Sequence, residues 1–524
     1  MNHKIILSKF LKDALLLSAV NILMRGIGVS FNAFVNSRIG AESMGLLTLV
    51  MSVYSFAVTV ALSCVNIAAV KITSERCAVL HGSDKESWKS SMRSVIRSVC
   101  LYSLLFGVGS GSALFFSSGF ISEKLLGDAR TLLSLKILAF SLPAISLSSA
   151  FSGFFTGLRK VRKNAVVTIS EQFIKIIVTS TMLVMIVPGN IERSCVAVVG
   201  GSALAEAWSL IVNIVLYVTD TKRPDKEIPG SNNIIIPTKL RDTADISLPS
   251  AVGAYARQGL TTIEHLAIPK GIMKSGVTNE AALASYGLLQ GIAFPLVMFP
   301  YALIGSFTSL LVPETAELNE LGDGSGIRDI TDKVYRYSAM FSLLACGIFV
   351  NFSTELGVMI YSSDEAAIYT FMLGLLVPFM YLDTAVDSLL KGLGQQVYIM
   401  GVNIADAACG VLLVLILTPV MGMNGYILTM WICETGNLTA SILRLSRITG
   451  VSLKETLKHY LRPTLCAVIM SMLTVIVRRF VSPVLSIFFY AGGYTVLVLT
   501  RRTAEKRTPS VKKTNFKKSL DRSR

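Results

Sequence analysis

Charge is scarce in this sequence: Asp, Glu, Lys and Arg make up 16% of it, against roughly a quarter in a soluble domain. A water-soluble globular protein is thereby excluded, because 52% hydrophobic residues exceed what a soluble core absorbs. Histidine is rarer still, and His3, His81, His265 and His459 are scattered along the chain. The cysteines show no CxxC spacing, and Cys64, Cys100, Cys346, Cys409, Cys433 and Cys466 fall inside apolar stretches. Neither a metal centre nor a disulfide framework is expected. A Walker phosphate loop, a nucleophile elbow and a metalloprotease signature are all missing, so no cofactor and no enzymatic activity are expected. Gly107, Gly109 and Gly111 spell GxGxG without a preceding strand, which reads as close helix packing. The run Gly322-Asp323-Gly324-Ser325-Gly326 has no Lys-Ser/Thr after it and reads as a linker.

What the chain has in abundance is long apolar blocks. Crossing roughly 30 Å of hydrocarbon takes about 20 helical residues. Blocks of that kind lie near 14–36, 44–71, 94–117, 132–157, 165–188, 195–219, 244–269, 282–312, 335–360, 367–390, 398–419, 424–445, 461–479 and 483–500. The fold class expected is an all-α membrane protein of about fourteen transmembrane helices. The apolar run after Lys12 continues to Val35, too long for a cleaved signal, so it is the first span. Net charge +16 does not mark a nucleic-acid binder, since the cations sit between apolar blocks and not along an amphipathic face. With the N-terminus cytoplasmic, most Lys and Arg fall in cytoplasmic loops, which favours an even number of spans with both ends on the cytoplasmic side. The cationic tail from Arg501 is expected to cling to anionic lipid.

A weak internal repeat orders these spans. At an offset of 235, Tyr102 meets Tyr337, Leu142-Pro143 meets Val377-Pro378, and Gly157-Leu158 meets Gly392-Leu393. At 242, Gly45-Leu46-Leu47 meets Gly287-Leu288-Leu289, and Thr73-Ser74-Glu75 meets Thr315-Ala316-Glu317. The layout expected is an N-terminal six-helix bundle (1–219), a cytoplasmic linker (220–243) and a second six-helix bundle in the same orientation (244–446). Two further helices (447–500) and a basic tail (501–524) complete it. Parallel repeats tend to enclose a central cavity and rock about it.

The stretches Ser37-Arg38-Ile39-Gly40-Ala41-Glu42-Ser43-Met44-Gly45-Leu46, Gly153-Phe154-Phe155-Thr156-Gly157-Leu158 and Tyr286-Gly287-Leu288-Leu289-Gln290-Gly291, with Phe299-Pro300-Tyr301-Ala302-Leu303 and Val312-Pro313, resemble a known group. They are similar to the polysaccharide-transport branch of the multidrug/oligosaccharidyl-lipid/polysaccharide (MOP) exporter superfamily, closest to the stage V sporulation protein B group. The span layout is similar to that of the lipid II flippases. The resemblance implies a MATE-like fold and movement of an undecaprenyl-pyrophosphate-linked saccharide to the outer leaflet, for peptidoglycan or another envelope polymer. Envelope polymerases are the protein partners it suggests.

Ionisable residues within spans cost roughly 2.5–3.5 kcal/mol each and ask for a partner or a hydrated cavity. In the first span Asn21, Arg25, Gly28 and Asn32 stack on one helical face, and in the seventh Arg257, Thr261 and Glu264 do the same. Gly26 and Gly28 in the first, and Pro249, Gly253, Gly259 and Pro269 in the seventh, mark these as the moving elements. Arg25 and Arg257, with Asn21 and Asn32, are therefore candidates to hold a pyrophosphate, because guanidinium forks match phosphate oxygens. The resemblance carries cavity arginines of the first and seventh helices onto the same two positions. Glu264 and Asp406 are candidates for ion coupling. Lys175 is expected to pair with Glu171 one turn before it, and Asp383, Asp387 and Lys391 to form a snorkelling ion pair. The rival functions are a cation-coupled drug exporter with an acidic, aromatic cavity, and a non-transporting scaffold for envelope synthesis.

Overall fold

The computed structural model describes residues 2–80, 85–185, 190–219, 237–361, 364–451 and 453–505. All regular structure among the described residues is helical. The first half holds α1 (Asn2–Leu62), α2 (Val65–Val79), α3 (Lys85–Phe120), α4 (Leu132–Gly157), α5 (Val161–Met185) and α6 (Ile191–Thr219). The second holds α7 (Leu240–Lys274), α8 (Asn279–Tyr286), α9 (Phe294–Met298), α10 (Tyr301–Glu320), α11 (Gly324–Asn351), α12 (Ser353–Tyr361), α13 (Asp364–Gly392), α14 (Gln396–Met421) and α15 (Met423–Thr449). Then come α16 (Leu453–Val477) and α17 (Pro483–Glu505). The N-terminal side chains, most of the expected 220–243 linker and most of the basic tail lie outside the described residues.

Ten helical stretches among the described residues are long and apolar enough to cross a bilayer, and one of them, Ile22–Val79, has 58 residues, enough for two crossings. Charged side chains dilute the apolarity of α7, α11 and α15, yet their 35, 28 and 27 residues suffice to span. The chain is a multi-pass membrane protein of about fourteen crossings.

The breaks fall elsewhere than the sequence suggests. The first and seventh spans run on through Gly26, Gly28, Pro249 and Pro269 without interruption. Their small residues serve packing: a Cβ on Gly253 would lie 2.1 Å from Sδ of Met400, and one on Gly271 would lie 1.8 Å from Oγ1 of Thr418. The chain turns instead at Gly40, where φ is 80°, a conformation open to glycine. It turns again at Ser63 and Cys64, splitting the expected second span. The eighth span is the most irregular, with a π-helical segment Gly287–Ala293 and a break at Phe299-Pro300. The turn at Leu321-Gly322 is followed directly by α11, which Asp323 caps by accepting from the backbone N of Gly326 at 2.9 Å.

Packing follows one plan in both halves. α4 packs on α2, α3 and α6, and α5 on α6. Correspondingly, α13 packs on α10, α11 and α15, and α14 on α15. The repeat residues make the same contact twice. A Cβ on Gly157 would stand 2.6 Å from Cβ of Thr73 and 2.9 Å from O of Val70; on Gly392 it would stand 2.7 Å from Cβ of Thr315 and 2.8 Å from O of Val312. Another matched pair meets itself: a Cβ on Gly287 would lie 2.4 Å from the backbone N of Gly45. Equivalent points of two repeats can touch only where the axis relating them passes between them. The Gly45–Gly287 contact therefore marks the pseudo-twofold axis, and Gly in both places lets the backbones approach. Outside this frame α16 and α17 dock on α11 through Met470, Tyr490 and Tyr494 and a hydrogen bond from Asn351 Nδ2 to Ser471 Oγ at 2.8 Å, and the end of α16 is tied to α12 by the ion pair of Arg478 with Glu355.

Candidate functional site

The charged residues within spans gather at one depth, since Arg25, Lys175, Glu206, Arg257, Asp406 and Glu434 each fall near the middle of a crossing. They divide into two surroundings. Between the halves lies a cavity of about 340 Å³, walled by Arg25, Gly28 and Asn32 of α1, Gln172 and Lys175 of α5, and Pro295 and Met298 of α9 with the adjoining Phe299. The stacking of Arg25, Gly28 and Asn32 on one helical face brings them to this wall together. The Asn21 side chain, expected beside them, lies outside the described residues.

Arg25 reaches across from the first half to the second. Its Nη1 donates to O of Met298 at 3.1 Å, and its guanidinium lies 5.6 Å from the ring centre of Tyr301. Tyr301 packs on Tyr381 at 5.7 Å, and the buried Tyr381 hydroxyl donates to O of Val297 at 2.8 Å. The break at Phe299-Pro300 is what frees a carbonyl for Arg25. One hydrogen bond leaves most of the guanidinium's five donors uncommitted to it.

Lys175 is not locked into the expected bridge with Glu171. It lies in the fields of Glu206 and Glu171, no direct ion pair joins it to either among the described residues, and it lines the cavity. Helical spacing alone suggested a pair satisfied within α5. The approach of α5 to α1 gives the ammonium a second wall to face.

Arg257 is not among the residues lining this cavity. On α7 it shares a stripe with Gly253, which packs on Met400 of α14, and with Glu264, whose carboxylate lies over Gly410 of α14. The exposed guanidinium thus sits in the fields of Asp383 and Asp387 on α13 and Asp406 on α14. Glu264 and Asp406, the two coupling candidates from the sequence, are close enough to act on one another. Glu434 joins them from α15. The second half therefore sets three carboxylates in the field of one arginine, with Glu264 and Glu434 near Asp406, and the first presents Arg25 and Lys175 to the central space. The Asp383, Asp387 and Lys391 trio makes no direct ion pair among the described residues: Asp387 is buried and accepts from Ser441 Oγ at 3.2 Å, and Asp383 accepts from Asn437 Nδ2 at 3.4 Å.

Sequence reasoning did not single out Gln172, nor Met298 and Phe299, as cavity residues. An uncharged Gln within a span was the signal available for the first. The others have no signal short of the fold, since they are ordinary apolar residues brought in by a broken helix.

Over residues 10–319 the sequence matches the family described as polysaccharide biosynthesis protein. The chain belongs to that family. This polysaccharide biosynthesis family member is 23% identical to Stage V sporulation protein B of Bacillus subtilis (strain 168) over 483 residues, 90% of each chain. Among solved structures it is similar to Lipid II flippase MurJ in an inward closed conformation, with TM-score 0.63 at 15% identity over 94% of this chain and 98% of that one. It is also similar to an inward-facing multidrug resistance MATE family transporter of the MOP superfamily, with TM-score 0.58 at 14% identity over 83% and 96%. The family member thus has the fold of the MOP exporters. The resemblance read from its Gly-rich and Pro-containing stretches holds over nearly its whole length.

Proposed function

We propose that the protein is a flippase that carries an undecaprenyl-pyrophosphate-linked saccharide from the cytoplasmic to the outer leaflet of a bacterial cytoplasmic membrane, by alternating access of its two six-helix halves. The observation that carries this reading is the mid-depth cavity between the halves, which Arg25 and Asn32 of α1 line together with Lys175 and Gln172 of α5. A guanidinium and an ammonium at fixed positions suit a pyrophosphate, and the lipid tail would remain in the bilayer. Membership of a polysaccharide biosynthesis family, likeness to a sporulation protein and the fold of a lipid II flippase support it. In this proposal Lys175 joins Arg25 as the anion-holding pair, and Arg257 holds the neighbouring carboxylates in position.

The acidic second half favours a further assignment: Glu264 and Asp406 take up the coupling cation. Filling that site would neutralise repulsion among the carboxylates and bias the position of α7 against α14.

The test uses purified protein in liposomes containing fluorescent lipid-linked saccharide. Charge-assisted hydrogen bonds contribute about 1.5–3 kcal/mol each, so Arg25→Gln or Lys175→Gln should lower apparent substrate affinity roughly 10- to 100-fold. Wild-type rates in both variants would remove the pyrophosphate site. Absence of flipping together with gradient-driven dye export would assign the protein to the drug exporters of this fold, and absence of any transport would leave the scaffold role.

A further inference from the structure

Two contacts pin the seam between α5 and α6. A Cβ on Gly201 would lie 2.0 Å from Oγ1 of Thr179, and Nζ of Lys163 donates to O of Leu216 at 2.8 Å. Between them the numbering falls along α5 as it rises along α6, so the helices are antiparallel. One turn from the first contact brings Lys175 level with Ala205 and Glu206, and a second turn brings Glu171 level with Ser209. The mutual fields of Glu171, Lys175 and Glu206 agree with this register.

Two carboxylates and one ammonium thus meet inside the bilayer, on the flank of the central cavity. Charge at that depth has to be compensated, and the set is one positive charge short. Its neighbours do not supply that charge. α1 contributes Tyr54, whose hydroxyl is bonded to Ser141 of α4 at 2.7 Å, and Arg25, which is turned to Met298 and Tyr301 of the second half. From α4 comes Ser148, with its Oγ 2.9 Å from that of Ser209. Arg130, ahead of α4, is held by Asp128 and Glu42. Lys175 itself has no hydrogen-bond or ion-pair partner among the described residues, although it is set deep in the cavity wall.

An ammonium so placed can serve two anions. With the cavity empty, its field falls on Glu171 and Glu206 and helps to keep them ionised. An anion in the cavity draws the ammonium to itself and adds its own negative charge to theirs, and both effects favour a carboxyl over a carboxylate.

We propose that Glu171 and Glu206 form a proton site that fills when the central cavity takes up its anion, with Lys175 as the cation shared between the two. The proton passes from water to a carboxylate oxygen of the pair, and the charge that the anion brings into the membrane is reduced by one. A metal ion fits less well, since it needs several oxygen ligands and would stand beside the ammonium. The site presupposes, as proposed above, that the cavity holds an anion, and it is separate from Glu264 and Asp406 in the second half. A proton bound together with the anion makes affinity rise as pH falls, by up to about tenfold per pH unit where the pair is ionised in the empty protein.

The probe is farnesyl-pyrophosphate-linked N-acetylglucosamine, a pyrophosphate diester whose phosphates stay ionised around neutrality. Calorimetric titration of the detergent-solubilised protein in buffers of different ionisation enthalpy yields both the Kd and the protons exchanged. Wild type should take up close to one proton and bind more tightly on acidification. Glu206→Gln and Glu171→Gln should each bind more tightly than wild type at alkaline pH and lose both the uptake and the pH slope, while Glu206→Asp keeps both. A merely structural role of the glutamates would instead weaken binding and leave the slope. Binding by wild type without proton uptake would overturn the proton site and leave the cavity reading standing. So would uptake that survives in both Gln variants and disappears in Glu264→Gln, which would assign it to the second half. Absence of saturable binding at any pH would overturn the cavity reading, and the proton site with it.

Discussion

If Gly157 and Gly392 make the same contact in two copies of one fold, alanine should harm both equally. The Cβ of Gly157→Ala would stand 2.6 Å from Cβ of Thr73, and that of Gly392→Ala 2.7 Å from Cβ of Thr315. Carbon atoms at rest lie about 3.5–4.0 Å apart, so either helix pair has to part by about 1 Å. The threonines cannot yield instead, because both are fully buried at 0% exposure, and the carbonyls of Val70 and Val312 stand behind the same Cβ positions at 2.9 and 2.8 Å. Overpacking of this kind costs about 1–3 kcal/mol. Gly109, in contrast, has nothing within 4 Å of its built Cβ, and Gly109→Ala should be neutral or gain up to about 1 kcal/mol from helix propensity. Thermal unfolding of the detergent-solubilised protein, followed by intrinsic fluorescence, measures all three. Midpoints of Gly157→Ala and Gly392→Ala that fall together, with Gly109→Ala unchanged or higher, are the expected result. Losses in the two variants that differ by more than about 1 kcal/mol, or a Gly109→Ala as damaging as either, would refute the equivalence.

Arg25→Lys keeps the charge but loses the fork and the reach to Met298, so liposome flipping should fall by less than in Arg25→Gln and remain below wild type. Glu264→Gln and Asp406→Asn should bind lipid-linked saccharide as wild type does yet lose acceleration by an imposed cation gradient; gradient response intact in both would clear these carboxylates of coupling. In the segment joining α3 to α4, burial alone would raise the Asp128 pKa, but hydrogen bonds from the side chain and backbone of Arg130 outweigh it and hold the carboxyl below its ordinary value. A depressed native pKa adds stability that is fully present above the unfolded value of about 3.9 and is lost as pH falls through the native one. Asp128→Asn should therefore lower stability at pH 7 and flatten the acid limb of unfolding below about pH 4. Arg478→Ala strands Glu355 of α12, 12% exposed, without its cation, and should loosen the end of α16 from α12 by roughly 1–3 kcal/mol, read as faster proteolysis between α16 and α17.

The apolar blocks by themselves determined that this is a helical membrane protein and about how many times it crosses, because spanning length and backbone satisfaction in lipid are properties of the local chain. The offsets of 235 and 242 told which residues correspond, and Gly157 with Gly392 shows the correspondence to be physical. One-helix facing was legible too: Gly28 and Asn32 accompany Arg25 to the cavity wall. Which helices break was not legible, because a Gly or Pro in a span can equally serve close packing, as in α7, or a real interruption, as at Phe299-Pro300. Nor was the company each charge keeps. Spacing of four offered Lys175 a partner on its own helix, whereas α1 supplied the wall it faces. The likeness of Arg25 and Arg257 in sequence concealed one neighbourhood of basic and aromatic groups and another dominated by the carboxylates of Asp383, Asp387 and Asp406. Distances between helices far apart in the chain decide such surroundings, and no periodicity within one helix encodes them.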